Sequence, residues 1–467
     1  MNAFSHPEHH LAELTEVFER ARQRAAVLGT PVLASHAWAI ADMDLLALFR
    51  QADRPGADAV FWRDAGGARS LFGWGLADAL NATGAQRFAS LDTQWQAWLD
   101  SAVIHGPQPP LLCGGMRFDT EVAPGSAWHG FGDASLWLMS VLVVREAGQC
   151  WLLCQQRINA TDNPRQRSEQ LLDSWRALMD RYLSPPVTAT AITHLHDQCL
   201  PRAEWEGKVA QALHTLHNSE LQKVVLAREV VSVYSAPPSP GLALTQLASA
   251  EPAAYLFAFR RQASCFIGAT PERLVRLNDG QLQTLALAGT CRRDPDPRQD
   301  AQLARALMDC EKNRHEHAVV AQIIQQVLAP WAEHLHVPAT PSIQRLSRVQ
   351  HLSTVIEGRL RPPASLLQLT AALHPTPAVG GHERQQATDY IRRHEGFDRG
   401  WYAAPLGWVD ARGNGEFIVG LRSALLQGDQ ARLYAGCGIV RSSDPASEYE
   451  ETCIKLSAMQ LALQSRG

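Results

Sequence analysis

The sequence predicts an α+β fold in which large antiparallel sheets carry helices on their outside, and two observations support this. Apolar strand-like runs are joined by short turn sequences, Asn278-Asp279-Gly280, Arg412-Gly413-Asn414-Gly415 and Gly428-Asp429, whose residues tolerate the left-handed conformations that reverse a chain directly. Helical stretches are interspersed with these hairpins without the regular strand-helix-strand rhythm of a doubly wound parallel sheet. At 467 residues and 46% hydrophobic, the chain has ample material for a large buried core.

In chain order, residues about 1 to 190 are rich in Trp and Ala and alternate short strands with helices such as residues 12–28, AELTEVFERARQRAAVL. They hold no cluster of polar residues suited to chemistry and read as scaffold. A break follows at Leu183-Ser184-Pro185-Pro186, and residues 200–465 read as the catalytic part. There a helix runs from Arg202 to His217, and the β-branched run Lys223 to Val231 reads as a strand. AYLFAFRR, SCFIGATPERLVRL and QLQTLALAGT continue the sheet. One long helix is expected over about Arg298 to His334, because Leu303, Leu307, Val319, Val320, Ile323 and Ile324 recur at helical spacing. SLLQLTAALHP and QQATDYIRRHEG read as helices, and LGWVDARGNGEFIVGLRSALL with ARLYAGCGIVR as a strand meander that includes Arg422.

The formal net charge of -4 is spread along the chain, which leaves no footprint for nucleic acid and no polybasic membrane patch. The N-terminus has acids and histidines where a signal peptide needs a basic flank and an apolar run, and no segment is long and apolar enough to span a bilayer. A cytoplasmic protein acting on small molecules is expected. Nine cysteines form no CxxC pair and read as reduced core thiols. No HExxH motif occurs, and His6, His9 and His10 read as part of a mobile end. GNGEFIVG and AGCGIVR lack the full glycine pattern opening a helix, so they argue against dinucleotide binding.

The chemistry concentrates at the C-terminus. Asp444 or Ser447 caps a helix with Pro445 in its first turn, and Glu448, Glu451 and Lys455 then fall on one face. Two acids and a base on one stripe suggest a cation site, while a solvated salt-bridged face is the alternative.

Six segments stand in order over half the chain: KVVLAR, GATPERL, LALAGT, EKNRHEH, LHPTPAVGG and GCGIV followed by SEYEETCIK. In this order and spacing the chain resembles the chorismate-utilising enzymes. It is most similar to isochorismate synthases, and HEGFDRGWYAAPLGWVD adds likeness to those of salicylate-type, pyochelin-like siderophore pathways. The resemblance is strong over about 205 to 463. It implies the chorismate-binding fold of anthranilate synthase component I, with large sheets packed face to face.

What the resemblance implies for single residues follows. Glu316 and Glu451 match the family's magnesium ligands, and Glu448 a carboxylate reaching the ion through water; hard oxygen donors with retained waters suit Mg²⁺. Asn313 stands where the family often has an acid, so Mg²⁺ is expected to bind less tightly. Lys223 matches the base that takes a proton from the attacking water, which requires its pKa to fall from about 10.4. Glu272 matches the acid that protonates the departing 4-hydroxyl, which requires a raised pKa. Read alone, Lys223 is a strand-end lysine reaching solvent, Glu272 a turn acid paired with Arg273, and Glu316 a helix acid paired with Arg314 or His317. Arg422, Lys455 and the backbone of Gly436 to Gly438 match contacts to the enolpyruvyl carboxylate. Gly289, Thr290, His351 and Ala378 match further substrate-binding positions, and His351 also fits a satisfied structural histidine.

Ala288 stands where aminodeoxychorismate synthases carry a lysine nucleophile, and Lys223 is absent from ammonia-using members. Water is therefore the expected nucleophile and isochorismate the expected product. A salicylate synthase, which also eliminates pyruvate, is the nearest alternative, and a non-catalytic chorismate-binding subunit is the alternative of another class. Chorismate and isochorismate are the expected ligands, with a downstream isochorismate-pyruvate lyase as implied partner.

Overall fold

The computed structural model describes residues 7–54, 56–184, 192–347 and 349–464. Alternation along the strands dictates the layering. In Tyr255–Arg261, Phe257 and Phe259 enter one hydrophobic core while Leu256 and Ala258 enter a second. In Ser264–Thr270, Phe266 joins the first core, and Cys265, Ile267 and Ala269 join the second. Strands apolar on both faces must lie between two layers.

One ladder of strands runs in the order His194–Cys199, Lys223–Tyr234, Gln430–Ile439, Ser423–Gln427, Ser264–Thr270, Tyr255–Arg261, Ala59–Arg63, Arg69–Ala82 and Ala134–Glu146. The sheet divides at the last of these. Residues 141–146 pair with Gln149–Ile158, which leads to Val32–Ile40. Residues 134–137 pair with Leu111–Met116, which leads through Pro405–Asp410, Gly415–Val419, Arg273–Asn278 and Gln281–Arg292 to Val349–Leu360. Side chains of the ladder and of the second branch meet in the first core, where the rings of Trp62 in Ala59–Arg63 and Trp408 in Pro405–Asp410 lie 6.3 Å apart. The second core lies under helices Pro7–Leu28, Pro164–Leu183, Pro240–Ala250 and Pro445–Gln464. Among the described residues every ladder is antiparallel except Val32–Ile40 with Val103–His105. The expected α+β architecture of face-to-face antiparallel sheets with helices outside is what the chain adopts, and no helix among the described residues is long and apolar enough to cross a membrane.

The hairpins form where the turn residues stand. Asp279 and Gly280, both with positive φ, close Asn278 onto Gln281, and Gly428 closes Gln427 onto Gln430. Strands from both ends of the chain are neighbours, Leu256 opposite Arg63 and Leu406 opposite Gly115. Pro185 and Pro186 lie outside the described residues.

Four readings need correction. The single long helix is two, Pro297–Asp309 and Glu311–Leu328, broken where Cys310 is extended at ψ 109°, and 332–336 is a strand. Its apolar periodicity served two purposes: Leu307 and Ile324 are buried, Val319 and Ile323 face a cavity, and Val320 is buried at the cavity wall. Arg422 is not on a strand but in the bend before Ser423–Gln427, with φ 49°. All nine cysteines are free, yet Cys199 is exposed and Cys291, Cys310 and Cys453 are only half-buried. His9 and His10 lie in the first turns of helix Pro7–Leu28, their ring nitrogens 3.2 and 3.8 Å from Glu13; His6 lies outside the described residues.

Candidate active site

Strands Lys223–Tyr234 and Gln430–Ile439, helices Glu311–Leu328 and Pro445–Gln464, and the loop 374–381 enclose a cavity of about 620 Å³. Every candidate residue named from the sequence lines it: Lys223, Glu272, Gly289, Thr290, Glu316, His351, Ala378, Arg422, Gly436, Gly438, Glu448, Glu451 and Lys455. The lining begins at Gln222 and ends at Lys455, so it draws on nothing before residue 222.

Lys223 opens its strand, with His382 opposite it in the ladder. Its side chain lies across Gly438: a Cβ there would meet Lys223 Cε at 2.7 Å and Nζ at 3.3 Å. Burial lowers its pKa, and Lys455 works in the same direction against the nearby carboxylates of Glu316, Glu272 and Glu451. The solvent-reaching alternative therefore fails; the ammonium is turned into the cavity.

Glu272 follows strand Ser264–Thr270 and is buried. Burial pushes its carboxyl up to about 7, while Lys223, Lys455 and the Thr376 hydroxyl, 3.5 Å away, pull in the opposite direction. Its backbone is held from both sides, by Thr270 Oγ1 on its N–H and by Val419 N–H on its carbonyl. The turn-pair alternative fails too, because Arg273 turns to Glu416 at 2.8 Å and to Tyr255 Oη at 2.8 Å. One enclosure thus holds a lysine below its ordinary pKa and a carboxyl above its own, an arrangement suited to base and acid chemistry.

The C-terminal helix starts as its sequence implies, with Ser447 N–H donating to Asp444 Oδ1 at 2.9 Å. Glu448, Glu451 and Lys455 line the cavity from its first turns. Glu451 pairs with Lys455 at 2.7 Å, and Lys455 Nζ donates to the Gly436 carbonyl at 2.8 Å. Burial would raise the Glu451 pKa, but Lys455, Arg422 and Lys223 together lower it. Glu448 is raised, first by burial and then by the charge on Glu451. Glu316 on the facing helix is half-exposed, its nearest cation being Lys312 at 4.0 Å rather than Arg314 or His317.

These carboxylates fit a hard divalent cation. They supply oxygen only, they converge on one cavity, and the like charges of Glu448 and Glu451 lie close enough to oppose one another. Among the described residues no three His, Cys, Asp or Glu side chains stand close enough to hold an ion directly. Mg²⁺ keeps several waters and binds through one or two carboxylates, so it does not require three such side chains together.

The remaining candidates form the cavity wall. Gly289 has φ 76° at a bulge between Ala288 and Thr290, and Asn313 of the overlying helix sits 3.4 Å from where its Cβ would be. The bulge brings Thr290 opposite His351, and Thr290 Oγ1 and His351 Nδ1 are 2.8 Å apart. Burial drives the His351 imidazole down to about 3, so it is neutral, and its Nε2 has no hydrogen-bond partner among the described residues. Arg422 is held in a left-handed conformation that a non-glycine residue adopts at a cost of order 1 kcal/mol.

Sequence reading passed over four residues, two in this wall, Arg399 and Tyr402, and two that touch residues of it, Thr376 and Glu395. Thr376, in the quoted LHPTPAVGG, touches Glu272. Glu395 and Arg399, in the quoted HEGFDRGWY, form an ion pair in which both side chains are 3% exposed, and Arg399 lines the cavity. Tyr402, which also lines it, stacks on Tyr434 at 5.0 Å between ring centres. The charged pair four apart, Glu395 and Arg399, was the available signal, although Asp398 stands beside Arg399 as a competing partner.

The geometry agrees with what similar proteins are. The chain is 42% identical over 457 residues to the salicylate biosynthesis isochorismate synthase of Pseudomonas aeruginosa, covering 98% of this chain and 95% of that protein. Its structure resembles that of MenF, the menaquinone-specific isochorismate synthase of Escherichia coli, with a TM-score of 0.79 and 27% identity over 97% of this chain and 100% of that one. It shares its fold with anthranilate synthase component I of Streptococcus pneumoniae, at a TM-score of 0.60 and 20% identity over 90% of this chain and 86% of that one. A family model described as chorismate binding enzyme matches residues 19–464, and the chain is an enzyme that belongs to the chorismate-binding family.

Proposed function

We propose that this enzyme is an isochorismate synthase that converts chorismate reversibly to isochorismate. The observation that carries the reading is the opposed pKa displacement of Lys223 and Glu272 within one cavity. Neutral Lys223 takes a proton from water as its oxygen bonds to C2. The ring double bonds shift, and the C4 hydroxyl leaves as water with the proton that Glu272 donates. In the reverse direction the two groups exchange roles. Starting and product alcohols differ little, so the equilibrium is expected to lie near balance.

Glu316 and Glu451, with Glu448 through water, are the residues that would hold Mg²⁺. When bound, the ion neutralises and orients a substrate carboxylate. Arg422, Lys455 and the backbone at Gly436 and Gly438 would take the enolpyruvyl carboxylate, with Gly289, Thr290, His351 and Ala378 completing the wall. Residues 200–465 act as the catalytic part and 1–190 as scaffold, a division supported by the confinement of the cavity lining to residues 222–455. We place the enzyme in the cytoplasm, with its product passing to an isochorismate-pyruvate lyase for siderophore salicylate; the name of the Pseudomonas aeruginosa relative supports the salicylate link.

The test incubates the protein with chorismate, with Mg²⁺ or with EDTA, and separates products with and without an added isochorismate-pyruvate lyase. Isochorismate formed only with Mg²⁺, and salicylate only with the lyase, is the expected result. Salicylate without the lyase would make it a salicylate synthase, and unchanged chorismate would make it a binding protein.

A further inference from the structure

We propose that Arg399, held by Glu395, is a positioning residue that sets the spacing between the base Lys223 and the acid Glu272. The inference rests on the roles proposed above for those two groups.

Strand Lys223–Tyr234 pairs on one side with Gly381 and His382, opposite Val224 and Lys223. Beyond that the strand edge turns to side chains. Val225 N–H still donates to the Gly380 carbonyl at 3.0 Å, but the Val225 carbonyl accepts from Arg399 Nη2 at 2.8 Å, and Ala227 N–H donates to Glu395 Oε1 at 2.7 Å. The same guanidinium donates through Nη1 to the Val379 carbonyl at 2.9 Å and through Nε to Glu395 Oε2 at 2.7 Å. Arg399 thus bonds at once to the strand that begins with Lys223 and to the loop that presents Thr376 to Glu272.

That loop is short and stiff. Val379 and Gly380 N–H both return to the Thr376 carbonyl, at 3.1 and 2.9 Å, so a shift at Val379 is transmitted to Thr376. Phe118 covers the guanidinium face at 4.2 Å from its ring centre. Only a planar fork can serve these separate acceptors in fixed directions. A buried ion pair is a weak source of stability, but one that stitches two catalytic elements together fixes a distance. Misplacing a reacting group by about 1 Å can cost roughly 10²-fold in rate.

The test compares wild type with Arg399→Lys, which keeps the charge and loses the fork. Three quantities are read: kcat and KM for chorismate, their pH profiles, and the pH dependence of Lys223 acylation by acetic anhydride, followed by peptide mass spectrometry. The expected result is a kcat lowered about 10- to 100-fold with KM within about threefold, shifted pH limbs, and a Lys223 titration displaced from that of wild type. A kcat within about threefold of wild type would overturn the proposal. So would a lower kcat matched by loss of folded protein, with the pH limbs and the Lys223 titration unmoved. Should Arg399→Lys not fold, Glu395→Asp keeps both charges, draws the guanidinium back by one methylene, and is read the same way. Wild type that leaves chorismate unchanged would refute the proposed activity instead, and the acylation titration, which needs no turnover, would still decide whether Arg399 positions Lys223.

Discussion

Replacing Glu272 by glutamine separates catalysis from stability in opposite directions. The carboxyl is buried and held up to about 7 from an ordinary 4.5, so above neutrality the folded protein carries a charge that the unfolded chain carries more comfortably. Between those two values the folded state binds more protons than the unfolded one, so this group's contribution to stability is present in full below about 4.5 and is lost as pH rises through about 7. The loss amounts to about 3 kcal/mol in all, of which about 2 kcal/mol falls between pH 5.5 and pH 8.5. Glutamine fills the same space without titrating. The Glu272→Gln variant should therefore gain stability relative to wild type as pH rises, its Tm advantage widening by a few degrees over that interval, while turnover falls about 10²- to 10⁴-fold. Thermal unfolding at the two pH values and a chorismate conversion assay read both. A Tm gap that stays constant or narrows with pH would refute the reasoning, because Glu272 would then not be a carboxyl strained by burial.

Lys223→Ala should lower kcat about 10²- to 10⁴-fold, and the bell-shaped pH profile expected of wild type should lose a limb, as steady-state assays across pH will tell. Gly438→Ala places a methyl 2.7 Å from Lys223 Cε, and should lower kcat at least about tenfold with little change in KM. EDTA should abolish turnover and Mg²⁺ restore it, with Glu451→Gln needing about ten times more Mg²⁺ for half-maximal rate, measured by titrating the metal.

Within the site, legibility followed the range of the interactions. The cap at Asp444 and the stripe of Glu448, Glu451 and Lys455 depend on neighbours three to seven residues apart, and they stand where the sequence places them. The hairpin at Asp279-Gly280 is likewise local, since it needs only positive φ at two positions. The helix break at Cys310 was not legible, because apolar periodicity continued through it: part of the pattern faces the core and part the cavity, and both look alike in sequence.

By itself the sequence determined the antiparallel class, the order of the motif segments and the side chains offered for acid, base and metal chemistry. Hydrophobic alternation, turn chemistry and residue type are properties of short stretches of chain. Tertiary structure alone decided which alternative each of those side chains took. Glu272 is a buried carboxyl on the cavity rather than half of a turn pair because Glu416, distant in sequence, claims Arg273. Lys223 faces the cavity rather than solvent because Gly438 of the adjoining strand leaves room for it. The tie from Arg399 to Val225 and Val379 joins segments 174 and 20 residues away. Burial and long-range pairing shift a pKa or aim a side chain through what the fold brings alongside, and no short window of sequence contains that neighbour.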